Sequence, residues 1–215
     1  ARATDLDPTH TDTWYARGRA SWKAGGASWA GISFRRVLRQ NPDYPNIHVL
    51  AGNAELETTS FKDARKNFEE ALRRDPSNPD AYNGRGVALR HRVKPEALIA
   101  DFKTALRLKP DHAFAHYNLA KVMLDFQKDY FGAVEHFTEA LRLNPDLPNA
   151  HLYRGRAFLG LAKYREALAD FDKAVEEDPD CDSAYYGRQD AYLGLGNNRE
   201  ARKNDQLALS YIGGC

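Results

Sequence analysis

Histidine is the residue type in this sequence that most directly suggests metal binding or acid–base catalysis. The chain has seven histidines, and His112 and His116 are four residues apart, so both rings would point to one side of a helix. A zinc site needs further ligands and groups that orient them, yet no third histidine or cysteine lies nearby in the sequence. His48, His116 and His151 also occupy a position that other parts of the chain fill with tryptophan or tyrosine. We therefore predict packing roles for these histidines, and neither a metal nor a cofactor.

Cysteine offers no stronger candidate for chemistry. The two cysteines, Cys181 and Cys215, are too few for a disulfide framework, and Cys181 has no cationic neighbour in the sequence that would activate its thiol. We expect both to be reduced thiols of an intracellular, cytoplasmic protein. Because no nucleophile, base and oxyanion-binding group occur together, we predict that this segment is not an enzyme.

Arginine and aspartate form a pattern that suggests structural ion pairs. Arg85 and Arg154 each stand directly before a glycine, and Asp101 and Asp170 follow them at the same spacing, directly before a phenylalanine. The repeated spacing predicts two pairs, Arg85 with Asp101 and Arg154 with Asp170, each joining two helices of one hairpin. Contact between these arginines and a ligand is the alternative. If the pairs are partly buried, removal of one partner would cost about 3–5 kcal/mol.

These residues belong to a pattern that repeats every 34 residues. The period is carried by glycines, phenylalanines and prolines, namely Gly18, Gly52 and Gly86; Phe34, Phe68 and Phe102; and Pro42, Pro76 and Pro110. Before each proline, alanine, phenylalanine and leucine recur at steps of three and four residues, which predicts an amphipathic helix. The proline ends that helix, because the residue before a proline is driven out of the α region. A fixed period of this size indicates stacked helical hairpins.

The order of residues within one period resembles the tetratricopeptide repeat, and residues 148–181 show the resemblance best. That stretch contains Arg154-Gly155, Phe158, Ala167, Phe171 and Pro179. The resemblance covers nearly the whole chain and implies an all-α fold, a right-handed α-solenoid of helix-turn-helix repeats in one continuous domain. We predict that residues 1–10 are the end of a truncated preceding repeat, and that six repeats follow at 11–44, 45–78, 79–112, 113–147, 148–181 and 182–215, the last with a C-terminal tail.

Two of these repeats depart from the regular pattern. In the third, Pro95 begins the second helix, but Ala97 stands one residue early, so a shifted turn is expected there. The fourth has one extra residue near 127–129, and its second helix is expected to begin at about Tyr130. Ala3 falls where later repeats carry the alanine five residues before the closing proline, so the chain is expected to be cut from a longer array or to begin with a half-repeat.

The resemblance implies that the first helices line a concave groove that binds a peptide or a partner's helix. Aromatic residues with arginines between them are typical of recognition surfaces. The predicted groove residues are Tyr15, Arg19, Trp22, Asn53, Arg90, Phe114, Tyr117, Lys121, Arg156 and Tyr186. The alternative is that several of them only shield neighbouring helices. We therefore predict a protein-interaction scaffold with an unidentified protein or peptide ligand.

Other partners are disfavoured by composition. The formal net charge is +1, which predicts no nucleic-acid partner, and no apolar run is long enough to cross a membrane. The tetratricopeptide clamp for Hsp70 and Hsp90 C-terminal tails uses asparagines and lysines on consecutive first helices. Asn53 could supply one asparagine, but Gly84 and Phe114 stand where a second asparagine and a lysine are needed, so these tails are not expected ligands.

Two alternatives to a free-standing scaffold remain open. The chain could be the targeting or substrate-recruitment segment of a larger enzyme whose catalytic domain lies elsewhere. It could also self-assemble end to end through its N-terminal face and Trp29, although a monomer or weak self-association is expected.

Overall fold

The computed structural model describes residues 10–89 and 95–211, and this part of the chain is helical with no strand. The all-α fold predicted from the 34-residue period is therefore confirmed. The α-helices are α1 (Thr11–Lys23), α2 (Ala27–Gln40), α3 (Ile47–Glu57), α4 (Phe61–Arg74), α5 (Pro79–Leu89), α6 (Pro95–Leu108), α7 (Ala113–Val122), α8 (Tyr130–Leu143), α9 (Ala150–Gly160), α10 (Tyr164–Glu177), α11 (Asp182–Gly194) and α12 (Asn198–Ser210). A short π-helix, Met123–Gln127, continues α7.

The chain divides into two compact units, one up to Pro110 and one from Asp111. Within each unit, the helices form consecutive hairpins, and we call the odd-numbered helices first helices and the even-numbered ones second helices. In the first unit, α2 packs on α3 and α4 packs on α5, so that each hairpin rests on the next. In the second unit, α8 packs on α9 and α10 packs on α11 in the same way.

Each second helix buries one stripe of small and aromatic residues. In α4 the buried residues are Ala64, Phe68, Ala71 and Leu72, which recur at steps of one face of a 3.6-residue helix. Phe68 is fully buried, and burial of a phenylalanine ring contributes about 1.5–3 kcal/mol. The hydrophobic sequence period thus produces the seam between consecutive hairpins.

Glycine allows the first helices to approach that phenylalanine from both sides. A Cβ atom added at Gly52 would lie 2.8 Å from Phe68 Cζ, and one added at Gly84 would lie 2.2 Å from the same atom. Neither position therefore accepts a larger residue unless Phe68 moves. The same contact explains why no asparagine stands at residue 84, as the chaperone-tail clamp would require.

The turns between first and second helices share one hydrogen-bonding motif in the first, second, fifth and sixth repeats. In the second repeat, Ser60 N donates to Glu55 O at 2.8 Å and Thr59 N donates to Leu56 O at 3.0 Å, with Thr59 in the left-handed region at φ 58°. This pair of bonds is the Schellman motif, whose left-handed residue is most often glycine. Gly25 and Gly196 hold that position in the first and sixth repeats.

The extra residue of the fourth repeat is absorbed by the π-helix. Asp129 N donates to Met123 O at 3.1 Å, and Lys128 takes the left-handed conformation at φ 56°. A π-turn contains one residue more than an α-turn, so the insertion widens the end of the first helix instead of lengthening the loop. The second helix begins at Tyr130, as predicted.

Some sequence-based expectations lie outside the described residues. The truncated preceding repeat, apart from His10, falls in residues 1–9, and the shifted turn of the third repeat falls in residues 90–94. Pro95 begins α6, as expected. The exact boundaries of the six repeats remain predictions.

Candidate functional site

One face of α7 carries three of the predicted groove residues. Phe114, Tyr117 and Lys121 are spaced by three and four residues and therefore share a side of the helix. Phe114 is 53% exposed, whereas Tyr117 is half-buried because its ring meets the edge of the core residue Phe137, with centroids 5.8 Å apart. This face thus combines an exposed aromatic residue, an anchored one and a cation.

Tyr153 of α9 completes a compact cluster with these residues. Its ring centroid lies 3.5 Å from Lys121 Nζ and 6.1 Å from the centroid of Tyr117, in an edge-to-face arrangement. The guanidinium carbon of Arg156 lies 5.6 Å from the same Tyr153 centroid. Cation–π contacts of this kind are worth about 0.5–2 kcal/mol each. We call Tyr117, Lys121, Tyr153 and Arg156 the α7–α9 cluster.

The two cations of this cluster are not neutralised by carboxylates. Within the described part of the chain, neither Lys121 nor Arg156 has an aspartate or glutamate oxygen within 4.0 Å. Two other arginines of the second unit differ in this respect, since Arg142 binds Glu139 and Arg154 binds Asp170 at 2.6 and 2.7 Å. The positive charge of the cluster therefore remains available to a ligand.

Tyr186 lies apart from this cluster. It is 40% exposed on α11, and among the described residues it makes no ring contact with the cluster. Phe114 likewise makes none. Tyr153, by contrast, was not predicted from the sequence to be a site residue. Its position between the aromatic position and the arginine of the fifth repeat could have indicated it.

The predicted groove residues of the first unit do not form one cluster like that of α7 and α9 among the described residues. Arg19 Nη1 donates to Tyr15 Oη at 3.2 Å, and the Tyr15 and Tyr44 ring centroids are 4.8 Å apart. Trp22 packs against the hydrophobic cluster around Phe34, so it is not a free aromatic surface. Asn53 is half-buried on α3, and Arg90 lies outside the described residues.

The structure brings together both arginine–aspartate pairs. Arg85 donates to Asp101 through Nε at 2.8 Å and Nη2 at 2.6 Å, and Arg154 donates to Asp170 at 2.8 and 2.7 Å. Hydrogen bonding to Asp101 raises the pKa of Arg85 above its ordinary value. Each pair joins a first helix to its second helix, and each aspartate is buried.

The aspartates of these pairs occupy a position of the repeat that is polar throughout the sequence. The position before the second-helix phenylalanine is polar in the first five repeats, and so is the position before Asp205, which replaces the phenylalanine in the sixth; these residues are Ser33, Asn67, Asp101, His136, Asp170 and Asn204. His116 Nδ1 lies 2.8 Å from His136 Nδ1, and His151 Nδ1 donates to Asp170 Oδ1 at 2.9 Å. The histidines expected only to pack therefore also form hydrogen bonds across the hairpin.

A buried carboxyl group lies at the same level of the second repeat. Asn67 Nδ2 donates to Glu55 Oε2 at 2.8 Å, and His48 Nδ1 donates to Asn67 Oδ1 at 3.0 Å. Burial raises the pKa of Glu55 above its ordinary value of 4.5, although Asn67 and Arg35 act in the opposite direction. No simple catalytic arrangement results, because Glu55 is 97% shielded from solvent and hence from substrate.

The structure contradicts the prediction that Cys181 is a reduced thiol. It is buried and disulfide-bonded in the structure, so the prediction of a reduced thiol is wrong at this position.

Among the described residues, no group of three or more histidine, cysteine, aspartate or glutamate side chains is placed to hold a metal ion. No described helix combines the length and apolarity that a membrane crossing requires.

Comparison with known proteins identifies the family. The tetratricopeptide repeat model matches residues 49–113, 124–180 and 152–209. The DnaJ homolog subfamily C member 7 homolog of Dictyostelium discoideum is 27% identical over 164 residues, which cover 69% of this chain and 30% of that protein. The chain therefore spans less than a third of this relative's length.

Solved structures share the fold at low sequence identity. The APC/C hetero-tetramer Cut9–Hcn1 gives a TM-score of 0.85 at 16% identity, covering 97% of this chain and 41% of that one. YrrB gives a TM-score of 0.68 at 21% identity, covering 85% of this chain and 94% of that one. Since the family model matches more than half of the sequence, the chain belongs to the tetratricopeptide repeat family.

Proposed function

We propose that this chain is a protein-interaction module whose second unit binds an extended peptide or a helix of a partner protein along α7 and α9. Tetratricopeptide repeat proteins generally mediate protein–protein interactions. The observation that carries the proposal is the α7–α9 cluster, in which Lys121 Nζ lies 3.5 Å from the Tyr153 centroid. Two cations without carboxylate partners among the described residues, held against aromatic rings, fit an acidic ligand group.

The chemistry of the surface indicates how a ligand would be held. A carboxylate of the ligand would accept hydrogen bonds from Lys121 and Arg156, which Tyr153 keeps in place. An apolar side chain of the ligand would pack on Phe114, which lies on the same face of α7 and is 53% exposed. Charged contacts of this type set partner choice and association rate, while buried aromatic contacts supply most of the affinity.

The test removes the charge without disturbing the core. A variant with Lys121→Glu and Arg156→Glu reverses both cations, and neither residue belongs to the buried core. Truncation of Tyr117 is less informative, because its ring packs on Phe137 and its loss would also loosen the helix pair. A protein recovered by affinity purification should bind the double variant at least about tenfold more weakly, since hot-spot contacts carry most of the binding energy.

A matched control carries the same charge change elsewhere in the second unit. Lys163→Glu with Arg165→Glu alters two exposed cations at the start of α10 and should leave binding unchanged. Equal weakening by both double variants would show a non-specific charge effect, and unchanged binding by the first would remove the α7–α9 cluster from the proposal. Circular dichroism spectra of the variants establish that each is folded.

YrrB is described as having an unusual peptide-binding site, which supports the capacity of the fold and not these particular residues. Service as the recruitment segment of a larger enzyme is the alternative. Sequencing of the full reading frame decides between a scaffold and an enzyme segment.

A cytoplasmic location is likewise a proposal, and the state of Cys181 bears on it. Disulfide bonds persist mainly in oxidising compartments and are rare in the cytosol. A reduced Cys181 in protein purified from its own cells under thiol-blocking conditions would agree with the cytoplasmic location. The disulfide in the structure argues against this location, and a quantitative disulfide in the purified protein would contradict it.

A further inference from the structure

The first helix pair has a charge composition unlike the rest of the chain. Residues 11–40, which contain α1 and α2, have six arginine and lysine residues and one aspartate, Asp12, a formal excess of five positive charges. The whole chain carries only +1. The near-neutral total therefore conceals a local concentration of positive charge. All three tryptophans of the sequence, Trp14, Trp22 and Trp29, lie in the same segment.

Arginines and tryptophans of this hairpin are interleaved at its surface. The guanidinium carbon of Arg17 lies 5.3 Å from the Trp14 ring centroid and 5.9 Å from that of Trp29, and the carbon of Arg36 lies 5.4 Å from the Trp14 ring. Within the described residues, neither Arg17 nor Arg36 has a carboxylate oxygen within 4.0 Å. Their charges are thus held in place by aromatic rings and are not neutralised.

The outer face of α2 adds exposed apolar surface beside these charges. Trp29 and Ile32 are 60% and 46% exposed, and with Arg36 they are spaced by three and four residues, so all three lie on one side of the helix. We call Trp29, Ile32, Arg36 and Arg17 the α1–α2 patch. Large side chains that stay exposed next to unpaired charges are the composition of interaction surfaces.

Comparison with the equivalent positions of the second repeat shows that these positions are exposed there too, but are not occupied by apolar residues. The residues 34 positions after Trp29 and Ile32 are Asp63 and Lys66, which form an exposed ion pair at 3.8 Å. The side chains of Asp63 and Lys66 are 62% and 66% exposed, although α2 of the first hairpin packs on α3 of the second hairpin. These positions therefore do not belong to the packing seam between consecutive hairpins, and the seam does not account for the apolar residues in the first repeat.

We propose that the α1–α2 patch binds an acidic, amphipathic segment of a partner protein. Apolar side chains of the segment would pack on Trp29 and Ile32, and its carboxylates would pair with Arg17 and Arg36. Charge complementarity selects an acidic partner, because the hairpin has an excess of five positive charges. A protein segment fits better than single-stranded nucleic acid, because Trp29 alone among the three tryptophans is largely exposed and successive bases need several stacking platforms.

The test uses a synthetic peptide in which glutamates and leucines alternate at helical spacing, labelled for fluorescence anisotropy. The peptide should bind the wild-type chain, and its affinity should fall as ionic strength rises. Trp29→Ala and Arg36→Gln should each weaken binding by about tenfold or more. Arg36→Gln removes the charge but keeps a polar side chain at this exposed position, and circular dichroism shows whether the variant is folded.

Controls separate this patch from the α7–α9 cluster and from a general charge effect. The measurements are repeated in a chain that carries Lys121→Glu with Arg156→Glu, so that binding of the acidic peptide by the α7–α9 cluster does not contribute. Lys66→Gln, which removes one exposed charge in the second repeat, should leave affinity unchanged. A peptide with lysine in place of glutamate should not bind. Equal binding of both peptides, no effect of Trp29→Ala, or tighter binding of polyuridylate than of the acidic peptide at the same salt concentration would overturn the proposal.

Discussion

Removal of the Asp170 carboxylate is the sharpest test of how the hairpins are held together. Asp170 accepts two hydrogen bonds from Arg154, at 2.8 and 2.7 Å, and one from His151 at 2.9 Å. The side chain of Asp170 is 5% exposed and that of Arg154 is 19% exposed. Asp170→Ala would therefore leave a largely buried guanidinium without its carboxylate partner.

The expected loss of stability follows from these exposures. Breaking a buried ion pair costs about 3–5 kcal/mol, but Arg154 retains partial solvent access and a hydrogen bond to Thr138 Oγ1 at 3.3 Å. We therefore expect Asp170→Ala to lower the free energy of unfolding by about 2–4 kcal/mol. Replacement of both partners, Arg154→Met with Asp170→Leu, should cost much less, because no charge is then left unpaired.

Urea denaturation followed by circular dichroism measures the change, and hydrogen exchange of the α9 and α10 amides shows whether the loss is local. Hydrogen exchange of individual amides is needed because repeat arrays can unfold in parts. Glu176→Ala is the control, since Glu176 pairs with Lys173 at 2.6 Å but is 64% exposed, and such pairs contribute about 0–1 kcal/mol. A loss for Asp170→Ala no larger than that for Glu176→Ala would refute the reasoning.

Two further predictions concern backbone strain and buried charge in the second repeat. Thr59 holds a left-handed conformation that Gly25 and Gly196 adopt in other repeats, so Thr59→Gly should stabilise the protein by about 1 kcal/mol. Gly196→Ala should destabilise it by a similar amount. A lower melting temperature for Thr59→Gly would contradict the argument. Burial raises the pKa of Glu55 above 4.5, so the Glu55 carboxylate binds a proton more readily in the folded state than in the unfolded state. The resulting contribution to stability is complete below pH 4.5 and is lost as the pH rises through the folded-state pKa. Glu55→Gln should remove that part of the pH dependence in urea titrations at successive pH values, and an unchanged profile would show that Glu55 is not its source.

Local sequence chemistry was sufficient to predict the helical hairpins. Each hairpin depends on features that act within a few residues, namely small and aromatic residues at helical spacing, a left-handed turn residue and a closing proline. The spacing from Arg85 to Asp101 was also informative, because both residues lie within one hairpin whose two helices must pack side by side. A pattern repeated at the same register in two hairpins thus predicted the contact.

Contacts between repeats could not be predicted with the same success. Tyr153 meets Lys121 of the preceding repeat, and that contact depends on the orientation of two side chains from separate hairpins. Within the fourth repeat, the contact of His116 with His136 was also not predicted, because the sequence alone does not indicate which side chain a histidine will meet. In the same way, the disulfide at Cys181 and the π-helix that absorbs the extra residue depend on where the folded backbone brings particular atoms.

The sequence by itself therefore determined the family, the helical hairpins and the arginine–aspartate pairs within them. Tertiary structure decided which charges lie against aromatic rings without a carboxylate and which large side chains remain exposed, such as Lys121 and Trp29. The physical reason is that hairpin formation follows from local conformational preferences and a repeated apolar stripe. The neutralisation and exposure of a side chain depend on every group that packing brings near it.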